Sequence, residues 1–309
     1  MYKIAKPLFL IAESPMHPGS GNALGVVDQP IQRESHTAFP KIEASSLKGS
    51  LRNSFDQNTS NSKDDIEAVF GPENGNDHAA ALGFTDARLL LFPVKSMKGV
   101  FAWITCPAVL QRFQDDLTNS CADESFKIEE LPGYLEEGEA VLTAKSDEIT
   151  ISSQVILEEY AFNCKQDYEI KIEDKSLAEW FSEKLFPNGN LWSEKLKSSL
   201  VIVSNDTFKD FVTMSTEVIT RNKIDNTTGT ASDTSLFTEE YLPSETVLYA
   251  LVLTGRQMKQ DGKEANEVMK FFEGHINNSG KVIQVGGNAT LGKGITRLVI
   301  PNLKNNKES

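Results

Sequence analysis

Apolar residues follow two rhythms along this chain. Dense apolar runs at residues 4–11, 82–92, 99–105, 199–204 and 247–253 predict strands, and two further short runs at 281–285 and 295–300 flank a glycine-rich segment. Spacings of three and four predict helices instead. Leu47, Leu51 and Phe55 fall on one face of a helix over 46–57, with Ser45 or Ser46 expected as its N-cap. Leu177, Trp180, Phe181 and Leu185 share a face over 176–186, where Pro187-Asn188-Gly189 stops the helix. Further helices are expected at 64–70, from Pro107, from Asp206 and over 264–276. Strands interleaved with single helices describe an α+β sheet in one domain spanning 1–309.

One stretch breaks these rhythms. Residues 217–242 pair two β-like arms around a tip, Asn226 to Ala231, rich in Thr and Gly, which predicts a long hairpin with too few apolar residues to bury both faces.

Composition narrows the class without deciding it. A chain of 309 residues that is 39% hydrophobic can bury a large core. It holds no run of 18 apolar residues and no secretory h-region, so the expectation is a soluble, cytoplasmic protein without a membrane partner. Cys106, Cys121 and Cys164 form no C-x-x-C pair and read as reduced thiols, with neither a zinc site nor a disulfide framework. The net charge of −13 weighs against nucleic acid, because phosphate binding rests on Lys and Arg. Its distribution softens that objection: residues 115–200 hold 20 acidic residues against 8 lysines, whereas 274–309 hold five Lys and Arg against one Glu. Residues 108–200 are therefore expected as an acidic inserted region with a solvated surface.

The candidate chemistry lies outside that region. Gly286-Gly287-Asn288-Ala289-Thr290-Leu291-Gly292-Lys293-Gly294 brings four glycines and a lysine into nine residues after a short strand, a loop that suits a phosphate although it has neither the Walker A nor the dinucleotide order. Lys48 and Arg52, four apart near a helix start, form a second anion-facing pair. The first strand runs into a loop carrying His17 among Pro15, Pro18, Gly19 and Gly21, and Asp28-Gln29-Pro30-Ile31-Gln32-Arg33 follows, with an acid and an arginine close together.

Taken in order, the His-containing loop, the D-x-P-I-x-R segment, Ser45-Ser46-Leu47-Lys48-Gly49-Ser50-Leu51-Arg52 and the closing Gly-Gly-x-x-Thr-x-Gly-x-Gly resemble the RAMP superfamily of CRISPR proteins. The block from Phe84 through Ser96 and on to Pro107 is similar to the repeated backbone subunit of the type III-B, or Cmr, effector. The likeness runs from Tyr2 to about Ile300 and is weakest between Gln111 and Leu200.

It implies a ferredoxin-like or RRM-like palm with inserted subdomains, and it makes the 217–242 hairpin a thumb. It implies guide CRISPR RNA, target RNA, further copies in a helical filament and other Cmr subunits as partners. It also implies metal-dependent endoribonuclease action, with Asp28 holding Mg²⁺ or Mn²⁺ at the scissile phosphate. His17 would exchange a proton or touch the RNA backbone, and Glu239 and Tyr241 match acidic and aromatic positions near the cut, with Glu240 an equal match by sequence. Lys48, Arg52, Gly286, Gly287, Gly292, Lys293 and Gly294 would contact guide phosphates. Thr85, Asp86 and Arg88 read as a polar network holding the fold. The alternatives are a non-cleaving RAMP subunit that only binds guide RNA and, with His17 at its centre, a stand-alone guide-processing nuclease.

Overall fold

The computed structural model describes residues 2–21, 25–72, 78–120, 125–143, 148–165, 168–222, 236–258 and 262–303. The hairpin tip and Cys121 lie outside them. The chain starts with β1 (Ile4–Ala12), β2 (Lys41–Ile42), α1 (Ala44–Gln57), α2 (Lys63–Phe70), β3 (Leu82–Phe84), β4 (Ala87–Lys95), β5 (Phe101–Thr105) and α3 (Pro107–Asn119). Short strands follow: β6 (Glu139–Leu142), β7 (Thr150–Ile151), β8 (Gln154–Leu157), β9 (Tyr160–Lys165), β10 (Lys171–Ile172) and β11 (Lys175–Ser176). Then come α4 (Leu177–Leu185), α5 (Leu191–Ser199), β12 (Leu200–Val203), α6 (Asn205–Met214), β13 (Glu217–Arg221), β14 (Phe237–Tyr241) and β15 (Val247–Thr254). The last elements are α7 (Ala265–Asn278), β16 (Val282–Gln284) and β17 (Ile295–Val299), with a single 3-10 turn, Ala289–Leu291, inside the glycine loop.

The fold is mixed α/β. Thirteen strands form one sheet whose main path is β16-β17-β1-β15-β4-β5-β12-β6-β9-β8-β7, with β2 on β4 and β3 on β15. Its centre, β1 against β15, runs antiparallel over eight residue pairs from Ile4↔Thr254 to Ile11↔Val247. These strands are nearly continuous apolar runs because both faces are covered, so Phe9, Leu90, Phe92, Leu248 and Val252 are all buried. The 108–200 region adds to the same sheet: β12 lies parallel to β5 and antiparallel to β6, and β9 is parallel to β6.

Two local expectations are corrected. Helix α1 starts at Ala44, ahead of Ser45 and Ser46, and its N-cap Glu43 makes no side-chain cap bond. The Asp86 carboxylate takes the free Ala44 N–H at 2.9 Å instead, while also pairing with Lys41. The apolar run at 82–92 splits after Phe84, where the Thr85 hydroxyl accepts from Leu251 N–H and ends the strand. It also continues through Pro93, which pairs with Trp103 of β5 at a point where β15 has already ended at Leu91. Arg88 joins Asp116, which also accepts from the Tyr249 hydroxyl, so the Thr85, Asp86 and Arg88 network does hold the fold together.

Helices α1 and α7 meet through a buried histidine. His275 stacks on Phe55 with ring centres 3.7 Å apart, and its Nε2 lies 3.0 Å from the Ser54 hydroxyl. Burial holds its imidazole below the ordinary histidine value, so the folded state binds fewer protons than the unfolded one as pH falls through the usual range near 6.5. The stability from this neutral imidazole is thus present above that range and lost on acidification. The thermal midpoint of the chain should fall between pH 7.5 and 5.5, and His275→Gln should flatten that slope; an unchanged slope would remove His275 from the contact's pH response.

Candidate functional site

The site forms where four backbone segments cross. The loop after β1 meets the end of β14 through a two-bond bridge, Met16 N–H to Leu242 O at 2.9 Å and the reverse at 2.8 Å. The same loop pairs with residues 29–33, as Ser20 N–H donates to Pro30 O and Gln32 N–H to Pro18 O. Residues 28–31 then lie parallel to β14, with Gln29 N–H on Thr238 O and Glu240 N–H on Gln29 O. The glycine loop closes over both, since Gly287 N–H donates to His17 O and Gly294 N–H to Pro15 O.

Glycine is required at two of these crossings. Gly286 has φ +83°, and a Cβ there would stand 2.3 Å from the His17 carbonyl oxygen; at Gly294, φ is +76° and a Cβ would meet Val285 O at 2.0 Å. Both clashes are with backbone, which cannot swing aside. Gly294→Ala should therefore cost about 2 kcal/mol or more, read as a lower denaturation midpoint with disturbed amide shifts at Met16 and His17. A midpoint equal to wild type would show that the loop relaxes freely.

Asp28 is exposed and anchored from behind. Its Oδ2 accepts from Thr238 N–H at 2.7 Å and the Thr238 hydroxyl at 2.9 Å, and its own N–H donates to that hydroxyl. The Thr238 N–H, and then its hydroxyl, hold the carboxyl below its usual value, so it is anionic at neutral pH. Arg33, the neighbour suggested by sequence, turns elsewhere: it pairs with Glu240 at 2.5 Å and donates to the carbonyls of Ala38 and Val212. Glu240 also accepts from Ile31 N–H and the Thr216 hydroxyl, which clamps the 28–33 segment onto β14.

On the other side chains of β14, Glu239 and Tyr241 form a closed network. The Tyr241 hydroxyl donates to Glu239 at 2.6 Å and accepts from Arg221 at 2.7 Å and Asn288 at 2.9 Å. Glu239 also pairs with Arg221 and accepts from Asn288 at 3.2 Å. Burial and then the Glu239 bond raise the Tyr241 hydroxyl. Burial pushes Glu239 up, but the bonds from Tyr241 and Asn288 with the charge of Arg221 outweigh it and leave a carboxylate. His17 packs its ring 5.4 Å from that of Tyr241, and its Nδ1 donates to Glu240 O at 2.7 Å, which leaves Nε2 as the nitrogen not engaged by that bond. Lys293 places its ammonium 4.9 Å from the Tyr241 ring centre.

Of the residues expected from sequence, His17, Glu239, Tyr241, Gly286, Gly287 and Lys293 come together, Gly292 and Gly294 close the loop, and Asp28 lies one strand position away. Lys48 and Arg52 sit apart on α1. Arg52 donates to Gly71 O at 2.8 Å, capping the end of α2, whereas Lys48 has no carboxylate partner among the described residues and is held below the usual lysine value by burial, then by Arg52. Thr238, Arg221 and Asn288 carry the site without having stood out in sequence. Asn288 alone offered a signal, an Asn directly after two glycines, a residue type that tolerates the φ of +64° it adopts.

Among the described residues no group of three or more His, Cys, Asp or Glu side chains is placed to hold a metal ion, and no helix is long and apolar enough to cross a membrane.

The sequence pattern of the RAMP superfamily matches residues 9–297, and the chain belongs to that superfamily. Within it, the chain is 40% identical over 296 residues to the Pyrococcus furiosus CRISPR system Cmr endoribonuclease Cmr4, covering 95% of this chain and 94% of the relative. It is 23% identical over 308 residues to the Saccharolobus solfataricus CRISPR system CMR subunit Cmr4, covering 96% of each. The crystal structure of oligomeric Cmr4 from Pyrococcus furiosus superposes with a TM-score of 0.73 at 34% identity, over 97% of this chain and 99% of that one. A chain of the type III-B Cmr-beta complex bound to cognate target RNA shares the fold, with a TM-score of 0.72 at 21% identity over 96% and 97%.

Proposed function

We propose that this chain is the repeated backbone subunit of a type III-B CRISPR ribonucleoprotein and that each copy cuts target RNA at Asp28. The observation that carries the cleavage reading is the Asp28 carboxylate: exposed, anionic, and fixed by Thr238 to β14, the strand whose Tyr241 ring meets His17 and Lys293. The Cmr endoribonuclease name of a relative 40% identical over nearly the whole chain supports it. The oligomeric Cmr4 structure supports self-association, and the Cmr-beta complex bound to cognate target RNA supports an RNA partner, with guide RNA as the strand that would pair with the target.

The residues suit a loosely held divalent cation. Asp28 offers one carboxylate with Oδ2 already engaged, so Mg²⁺ or Mn²⁺ would take Asp28 together with water and RNA phosphate, the usual habit of Mg²⁺. The ion would polarise the scissile phosphate. His17, oriented through Nδ1, exchanges a proton at Nε2. Glu239 and Tyr241 hold Arg221 and Asn288 in place, and their saturated bonds suit positioning better than proton transfer. The palm is the large sheet, and the β13–β14 hairpin is the thumb that separates a target nucleotide from the duplex. Lys48 and the glycine loop hold RNA phosphates, while Arg52 ties α1 to α2. Base pairing to the guide, and not the protein, selects the sequence.

A ribonucleoprotein reconstituted from this chain, its partner subunits and a guide should cut end-labelled complementary RNA into a ladder of constant interval. EDTA should abolish the ladder. A complex that binds complementary RNA and leaves it whole with Mg²⁺ and Mn²⁺ present would instead be a guide-binding scaffold.

A further inference from the structure

Two of the site's three cations are held in ion pairs. Arg33 is taken up by Glu240, and Arg221 by Glu239 and the Tyr241 hydroxyl. Lys293 is different. Among the described residues no carboxylate lies within ion-pair distance of its ammonium and no side-chain hydrogen bond uses it, although it stands over the buried Tyr241 ring at 4.9 Å. The nearest influence is on Glu217, whose carboxyl burial pushes up and Lys293 draws down.

This cation is also held in place. Its N–H donates to Asn288 O at 3.3 Å, and its carbonyl accepts from the Gln284 side chain at 3.4 Å. The next residue, Gly294, is pinned to Pro15 O, two positions before His17. Asn288, at the other end of the turn, is bonded to Glu239 and Tyr241. The glycine loop thus presents Lys293 to the same ring that His17 packs against at 5.4 Å. An anion that reaches the partly exposed Lys293 ammonium sits against the loop that carries His17. In an RNA-binding protein, the anion with that geometry is a phosphodiester.

We propose that Lys293 is a further catalytic residue, whose ammonium contacts a non-bridging oxygen of the target phosphate being cut rather than a phosphate of the guide. The proposal rests on the nuclease reading above. In the step it serves, the attacking oxygen forms a new bond to phosphorus and passes its proton to the base of the site. The bond to the leaving oxygen breaks, and that oxygen keeps the electron pair and gains a proton. Lys293 transfers nothing; it stays protonated and neutralises the charge that grows on the non-bridging oxygens. Because that charge is larger in the transition state than in bound RNA, its effect falls on rate more than on affinity.

The test uses complexes assembled with Lys293→Met, Lys293→Arg or Asp28→Asn. Lys293→Met should cut about 100-fold more slowly under single-turnover conditions, the usual size for one lost oxyanion donor, with guide content and target affinity near wild type. Lys293→Arg should regain most of that rate. A phosphorothioate at the scissile non-bridging oxygen should slow the wild type more than Lys293→Met, since the variant has already lost the contact. Wild-type cutting by Lys293→Met overturns the proposal, as does a slow complex that has merely shed its guide, or an equal thio effect in both. Asp28→Asn separates the two readings. If it is inactive while Lys293→Met cuts normally, the nuclease reading stands and the lysine's role falls. If it cuts normally while Lys293→Met is slow, the carboxylate assignment falls and the lysine's role stands.

Discussion

A complex assembled with Asp28→Asn should bind complementary RNA as tightly as the wild type and cut it at least about 100-fold more slowly, the lower end of what a positioned catalytic group supplies. Asparagine keeps the shape of aspartate, and its amide oxygen can still accept from the Thr238 N–H and hydroxyl, so residues 28–31 remain on β14. Only the negative charge is lost. Filter binding beside a single-turnover cleavage gel separates the two effects. Because Thr238 holds the Asp28 carboxyl below its ordinary value, the wild-type group stays anionic down through the usual carboxylate range. Activity lost between pH 7.5 and 5.5 must then come from another group. A variant that cuts at the wild-type rate would place the chemistry elsewhere.

The largest effect on stability should come from Arg33→Met. Glu240 is 5% exposed and depends on Arg33 for charge compensation, while the carbonyls of Ala38 and Val212 lose a donor in the same change. Breaking a buried ion pair from one side costs about 3–5 kcal/mol, because the remaining charge is stranded. The thermal midpoint should drop by roughly 10 °C, at a few degrees per kcal/mol in a chain of this size. Arg33→Met with Glu240→Gln should lose less than the two single changes summed, since the second removes the stranded charge. Strict additivity in denaturation would mean that the two side chains do not depend on each other.

The parts of this molecule legible in its sequence are those whose causes are local. Helix α4 carries its apolar face and its Ser176–Glu179 capping box within ten residues, and β15 announces itself as an unbroken apolar run. The two hairpin arms pair as their pattern suggested, Val218 opposite Glu240 and Thr220 opposite Thr238. The start of α1 was illegible because its acceptor, Asp86, lies 42 residues away. The site is harder still. Thr238 meets Asp28 across 210 residues and Glu240 meets Arg33 across 207, so the choice between Glu239 and Glu240, equal in sequence, is made by which face of β14 each occupies. The acidic 108–200 region carries strand signals over residues 140–170, interrupted by polar turns, but nothing local says that these strands join the main sheet. Its strands are short, and β9 alternates only weakly between buried and exposed positions.

The central claim is that every copy of this chain carries its own cutting centre at Asp28. Complexes assembled from wild-type and Asp28→Asn chains in graded ratios test it most directly, with the intensity of each band in the target ladder measured on a denaturing gel. If the claim holds, every band fades in proportion to the Asp28→Asn fraction and none changes position. A ladder that keeps full intensity at every ratio would contradict it.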